Sequence, residues 1–227
     1  MNDIKTANPD PKPVKPTAED NLLYLLIKYK TALIATVILL ACLGTGTFVW
    51  IQHRQASEQE AALQLSRITP FLDSGKISTA INGEKNISGL KKISNEYAGT
   101  PSGNMATLLL ANAYYSIGEF DTALKIFKTV CIANNDLAAG ALAGAGACYI
   151  NKNQFALAAD TYQEASKKAE NSVLKAQYLL KVAESLQQLN QLKKATELYK
   201  KIITDYPTST AAVVAQRSLW QVSGKLQ

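Results

Sequence analysis

Histidine is nearly absent from this 227-residue chain, where His53 stands alone, and cysteine occurs three times. The first excludes most zinc and histidine-base chemistry, and the second excludes a disulfide framework. Charged residues make up 19% and apolar residues 47%, a balance that fits neither a disordered chain nor an all-membrane protein. An excess of one charge is also missing: 24 basic residues, 21 of them lysine, against 18 acidic ones give +6. That is too mild for a dedicated nucleic-acid binder. No segment alternates polar and apolar residues as a strand would, and from residue 52 onward the chain is rich in Ala, Leu, Lys and Gln. An all-α chain is expected.

Proline is scarce except at the start, where Pro9, Pro11, Pro13 and Pro16 are four of the seven. Residues 1–20 therefore read as a disordered tail that cannot offset its ordering entropy by burial. Pro13-Val14-Lys15-Pro16 has PxxP spacing, with a plain extended linker as the simpler reading. Thr31 to Ile51 is the one long uncharged run: 21 residues, of which 15 are apolar, four Thr and two Gly. As a helix it would extend ~32 Å, matching a hydrocarbon core of about 30 Å. Tyr24, Tyr29 and Trp50 fall where interfacial aromatics belong, so a transmembrane helix is expected over 31–51. A cleaved signal peptide would carry a shorter apolar region ending at a small-x-small site. This run instead ends in Phe48-Val49-Trp50-Ile51. Leu39-Leu40-Ala41-Cys42 faintly matches a lipoprotein box, but nine more uncharged residues follow, so Cys42 reads as a thiol within the helix.

Lys12, Lys15, Lys28 and Lys30 precede the span, against Arg54 and Arg67 after it. That bias places the N-terminus in the cytoplasm and the C-terminal domain across the membrane, periplasmic in a Gram-negative cell. Asn21–Ile27 either lies along the inner interface or extends the helix.

The C-terminal part repeats. Gly118-Glu119-Phe120-Asp121-Thr122-Ala123, Asn153-Gln154-Phe155-Ala156-Leu157-Ala158 and Asn190-Gln191-Leu192-Lys193-Lys194-Ala195 are one element three times, at spacings of 35 and 37. Gly and Asn best tolerate the left-handed conformation that ends a helix, so each marks a helix-to-helix turn. Four residues after each Ala an aromatic follows on the same face (Phe127, Tyr162, Tyr199), filling the space beside a close helix approach. Upstream, Ala111, Gly146 and Ala183 precede Tyr114, Tyr149 and Leu186 by three. With these residues the chain resembles the tetratricopeptide family, whose repeats are 34-residue antiparallel helix pairs. Departures are Thr107 at the first bulky position, Val130 at a small one, and a closing proline only at Pro207.

The resulting division is a tail (1–20), an interfacial segment and span (21–51), and a helical connector with a degenerate leading repeat (52–103). Three repeats (104–207) and a capping helix and tail (208–227) follow. Lys91-Lys92-Ile93-Ser94-Asn95-Glu96-Tyr97 matches Lys200-Lys201-Ile202-Ile203-Thr204-Asp205-Tyr206 position by position, making residues 86–97 the second helix of the leading repeat. Gln52–Ile68 would continue the membrane helix until Pro70 interrupts it, and Ala211–Val222 would cap the array.

Chemistry-bearing motifs are few, and no cofactor or metal site is expected. Ser74-Gly75-Lys76-Ile77-Ser78 ends like a phosphate loop, but Pro70 replaces its leading glycine. Gly140, Gly144 and Gly146 are not spaced as a dinucleotide turn and read as close-packing positions. Cys131, near the end of one helix, and Cys148, about ten residues into the next, would stand on the order of 10 Å apart, too far for a disulfide. They read as two separate buried thiols. Asn86-Ile87-Ser88 is a glycosylation sequon by pattern only. No serine, cysteine or carboxylate pair has an activating context, so a non-enzymatic protein is expected.

By resemblance to the family, first helices line a concave groove, with Met105, Leu108, Asn112, Tyr115 and Ser116 facing it from repeat one. Ala143, Ala147, Ile150 and Asn151 would face it from repeat two, and Leu180, Glu184, Gln187 and Gln188 from repeat three. Such a face suits a peptide or helix with an apolar anchor; alternatively some of it contacts the leading repeat. The family's carboxylate clamp would need lysine where Leu108 stands and asparagine where Gly144 stands; Asn112 and Lys181 alone do not rebuild it, so capture of a C-terminal carboxylate by that route is not expected. The lysines of the second helices read as a solvated outer face, with anionic lipid as the alternative contact.

Ala80-Ile81-Asn82-Gly83 and Tyr97-Ala98-Gly99-Thr100-Pro101-Ser102-Gly103-Asn104, within Ile77–Val130, resemble the membrane-anchored ancillary subunits of the bacterial Sec translocon. That resemblance implies an inner-membrane scaffold linking the translocon to periplasmic chaperones or client peptides. An assembly subunit of another envelope complex, or a regulator signalling through the cytoplasmic tail, are the other readings.

Overall fold

The computed structural model describes residues 18–224, and the chain divides into two compact units between His53 and Arg54. The expected tail therefore lies outside the described residues up to 17. Ala18–Asp20, assigned to it from sequence, already open a helix, α1 (Ala18–Lys28). Tyr29 separates α1 from α2 (Lys30–Asp73), so the segment before the apolar run is a helix of its own.

Among the described residues α2 is the one helix long and apolar enough to cross a membrane, with a mean hydropathy of 2.2 over its most apolar window and none of that window buried. Its threonines do not interrupt the apolar surface. The Thr45 and Thr47 hydroxyls donate to the carbonyls of Ala41 (2.9 Å) and Leu43 (3.0 Å), one turn back.

Pro70 does not end α2, contrary to the expectation. The helix runs on to Asp73, because a proline in the last turn forfeits only one backbone bond. The chain then closes the helix at Gly75 (φ 73°), with the Lys76 N–H donating to the Phe71 carbonyl at 2.8 Å.

In the second unit α3 (Ile77–Asn82) leads into a two-residue hairpin that sequence did not anticipate, β1 (Gly83–Glu84) with β2 (Ile87–Ser88). Gly83 pairs with Ser88 and Glu84 with Ile87, the turn being made by Lys85 at φ 50°. The sequon falls in this hairpin, and the second helix of the leading repeat, α4 (Leu90–Glu96), starts later than residue 86 for the same reason. Ile68, Ala80, Ile81, Leu90 and Ile93 form this repeat's core, joined by Ala106, Leu110 and Ala113 of α5 (Pro101–Ser116).

The far end of α2 also holds the start of α5. Glu58 accepts from the Ser102 N–H (2.9 Å) and hydroxyl (2.6 Å), placing a carboxylate at a helix N-terminus. Arg54 donates to the Gly99 carbonyl at 3.1 Å, and the Gln64 amide to the Tyr97 hydroxyl at 3.0 Å. Thr100 caps the helix by accepting from the Gly103 N–H (3.0 Å). The segment Tyr97–Asn104 is thus the seam between α2 and the repeats.

The remaining helices are α6 (Phe120–Phe127), α7 (Asn135–Asn151), α8 (Phe155–Lys168), α9 (Ser172–Gln188), α10 (Leu192–Asp205) and α11 (Thr210–Ser223). Gly118, Asn153 and Asn190 all have positive φ (84°, 55°, 56°), as the repeated element predicts. The N–H groups that follow, of Glu119, Gln154 and Gln191, donate to the carbonyls of Tyr114, Tyr149 and Leu186 at 2.9–3.0 Å, closing each first helix the same way. Ala123, Ala158 and Ala195 are fully buried, and Phe127, Tyr162 and Tyr199 are buried beside them. A Cβ at Gly144 would enter the Phe127 ring, and one at Gly146 would stand 3.0 Å from the Tyr162 ring, so these two are close-packing positions as expected, whereas a Cβ at Gly140 would meet only the Tyr178 hydroxyl at 4.0 Å and that glycine is not one.

One thiol departs from expectation. Cys148 is buried, but Cys131 lies in the connection after α6 and is exposed, because α6 ends four residues before it. Burial pushes the Cys148 thiol up to about 11. In the folded protein at pH 8, a small thiol reagent is expected to modify Cys131 within minutes while Cys148 stays unmodified until denaturant is added. Mass mapping of the labelled peptides checks this, and equal labelling of both would contradict the burial of Cys148.

Candidate functional site

α5, α7 and α9 are the first helices of successive pairs, and a concavity of about 520 Å³ opens along them. Tyr115 enters from α5; Ala147, Ile150 and Asn151 from α7; Lys181, Glu184 and Gln188 from α9. Asn153, Phe155 and Tyr162 complete the wall. Polar groups are fixed within it: the Asn151 amide donates to the Tyr115 hydroxyl and the Ala147 carbonyl, both at 3.0 Å. Lys181 pairs with Glu184 at 2.8 Å. Tyr115 packs edge-on against Phe120, with ring centroids 5.4 Å apart. Burial holds the Tyr162 phenol above the usual tyrosine range. The arrangement offers apolar anchoring beside amide, hydroxyl and carboxylate hydrogen-bonding groups.

Tyr115, Ala147, Ile150, Asn151, Glu184 and Gln188 are therefore brought together, and the other sequence-derived candidates are not. Leu108 is 8% exposed and packs with Phe127 and Cys148 in the core, and Leu180 is buried in the next core. Ala143 packs in the core of repeat two. The Gln187 side chain accepts from the Tyr199 hydroxyl at 3.0 Å instead of facing the groove. Asn112 and Ser116 are exposed outside the concavity, the Ser116 hydroxyl donating to the Ala113 carbonyl. Sequence reasoning missed Phe155 and Tyr162 as lining residues. The repeated element marks Tyr162 as a packing residue, which it also is.

Met105 lines a different, larger cleft of about 970 Å³. It exists because α6 has 8 residues where α8 and α10 have 14. The missing turns are replaced by the connection running from Lys128 to Asn134, so Ile126, Cys131, Ile132 and Leu137 face Met105 and Leu110 across open space. Among the described residues no cluster of three or more His, Cys, Asp or Glu could hold a metal ion.

Stacked antiparallel helix pairs, turned by left-handed Gly or Asn and lined by their first helices, define a tetratricopeptide solenoid. A family model described as a tetratricopeptide repeat-like domain matches residues 26–146, just over half the chain, and the chain belongs to that family. A tetratricopeptide repeat model also matches residues 177–209. Domains of this fold generally bind protein partners and typically serve as non-catalytic scaffolds.

Solved structures are similar at the level of fold. A structure described as a Podosopora anserina kinesin light chain with nearly identical TPR-like repeats superposes with a TM-score of 0.58 at 15% identity, covering 74% of this chain and 89% of that one. The MamA RS-1 ArsTM double mutant superposes with a TM-score of 0.53 at 16% identity, covering 74% and 96%. No curated protein matches the sequence.

Proposed function

We propose that this protein is a membrane-tethered periplasmic scaffold that assists Sec-dependent export or folding of envelope proteins by linking the translocon to chaperones. The observation that carries the binding role is the convergence of Tyr115, Ile150, Asn151 and Glu184 from three helices on one concavity. The apolar stretch of α2 supplies the anchor, and the flanking lysines favour a cytoplasmic N-terminus. The resemblance over Ile77–Val130 supports the assignment to export. Tethering raises the effective concentration at a membrane complex, so a groove of modest affinity suffices.

Cross-linking in cells tests this, with a photo-reactive residue at Tyr115 and another at Trp50. Translocon subunits at Trp50 together with chaperones or exported chains at Tyr115 are the expected adducts. Division, assembly or signalling proteins at both positions would overturn the export reading and favour another envelope complex or a regulator.

A further inference from the structure

α11, the last helix among the described residues, presents two large exposed apolar side chains, where a polar outer face is the rule for terminal repeats. On α11, Val213 is 63% and Trp220 70% exposed, with the exposed Arg217 between them on the same face. The opposite face (Ala211, Ala212, Ala215, Val222) is buried in the core shared with α9 and α10. α11 follows α10 as α9 follows α8, so it occupies the place of a first helix.

The register identifies what its open face is for. Val213, Arg217 and Trp220 come 34 residues after Leu179, Ala183 and Leu186. In the third repeat those three residues pack in one core with Ala195, Tyr199 and Ile202 of α10, the second helix of the same pair. The exposed strip of α11 is therefore the surface onto which the second helix of a fourth pair would fold, and no helix among the described residues follows it.

We infer that this strip is a docking site for an amphipathic helix of another protein, lying where that second helix would lie and carrying a carboxylate at its centre. Two features select this occupant. The small residue that would admit a bare helix backbone is replaced by Arg217, for which the described residues provide no ion pair, so the incoming helix has to bring an acidic side chain. A second copy of α11 fits badly: an antiparallel pairing that lays Val213 on Trp220 sets the two Arg217 side chains opposite each other, and α11 contains no Asp or Glu. The tetratricopeptide repeat match ends at residue 209, so this surface lies beyond it. The site is separate from the concave groove.

The test uses the full chain in detergent micelles with Trp50→Phe, which leaves Trp220 as the sole tryptophan. The probes are a 14-residue helical peptide with a leucine stripe and central glutamates, and the same peptide with lysines in their place. A blue shift of Trp220 emission is expected at roughly tenfold lower concentration of the acidic peptide. Arg217→Glu is expected to reverse that preference, and Tyr115→Ala to leave it unchanged, which keeps this site distinguishable from the groove. Equal response to both peptides, no response to either at millimolar concentration, or a shift that tracks protein concentration without peptide would each overturn the assignment. The last would point to self-association. Anionic vesicles reproducing the shift, with no preference between peptides, would overturn it in favour of a lipid surface.

Discussion

Gly103→Val is expected to be among the most damaging single changes in the repeat domain, with a loss of about 3 kcal/mol or more. Gly103 sits in the first turn of α5, and the place a Cβ would take is occupied by the carbonyl oxygen of Tyr97. Backbone cannot rotate away as a side-chain tip can, and this backbone is fixed from several sides. Thr100 accepts the Gly103 N–H, Glu58 holds Ser102, and Gln64 holds the Tyr97 hydroxyl. For a domain of this size the thermal midpoint is expected to fall by on the order of 10 °C. Gly99→Ala is the matched control. Gly99 has φ 82° with open space around it, so it loses only the left-handed preference, about 1 kcal/mol. Circular dichroism melts of the two variants check the ordering, and a Gly103→Val melt within 2–3 °C of wild type would contradict this packing.

The second large effect separates fold from groove. Leu108→Glu places a charge in the core among Ala111, Phe127 and Cys148. It is expected to cost on the order of 3–5 kcal/mol and to abolish partner capture by unfolding repeat one. Tyr115→Ala with Ile150→Glu alters two side chains that line the concavity and are only partly buried against the neighbouring cores. Helicity is expected to stay near wild type while cross-linked partner recovery falls at least about tenfold, as for loss of an aromatic anchor. Far-ultraviolet circular dichroism and adduct yield from the same preparations decide the matter. Unchanged adduct yield in the double variant would remove the groove from the mechanism.

These contrasts show where sequence reading succeeds. Gly118, Asn153 and Asn190 are legible as turns because a local backbone requirement, positive φ, selects residue type directly. Ala123 with Phe127, and its two counterparts, are legible because a helical period puts them on one buried face. Leu108 is not, since position in a repeat specifies a first-helix face but not how far the next pair covers it. The hairpin at Gly83–Ser88 escapes because two-residue strands are too short to show alternation. Glu58 escapes because its partner, Ser102, is 44 residues away and no periodicity links them.

The short α6 has a consequence for how the array holds together. In a solenoid each repeat is stabilised by its neighbours alone, so cooperativity is only as strong as each junction. Where α8 reaches α9 through three residues (Ala169 to Asn171), α6 reaches α7 through seven and leaves a cleft beside them. What joins the two sides is the core that Leu108, Ala111 and Phe127 share with Ala141, Ala145 and Cys148. The connection between Phe127 and Asn135 is therefore where amide exchange is expected to be least protected, opening before the helices on either side of it.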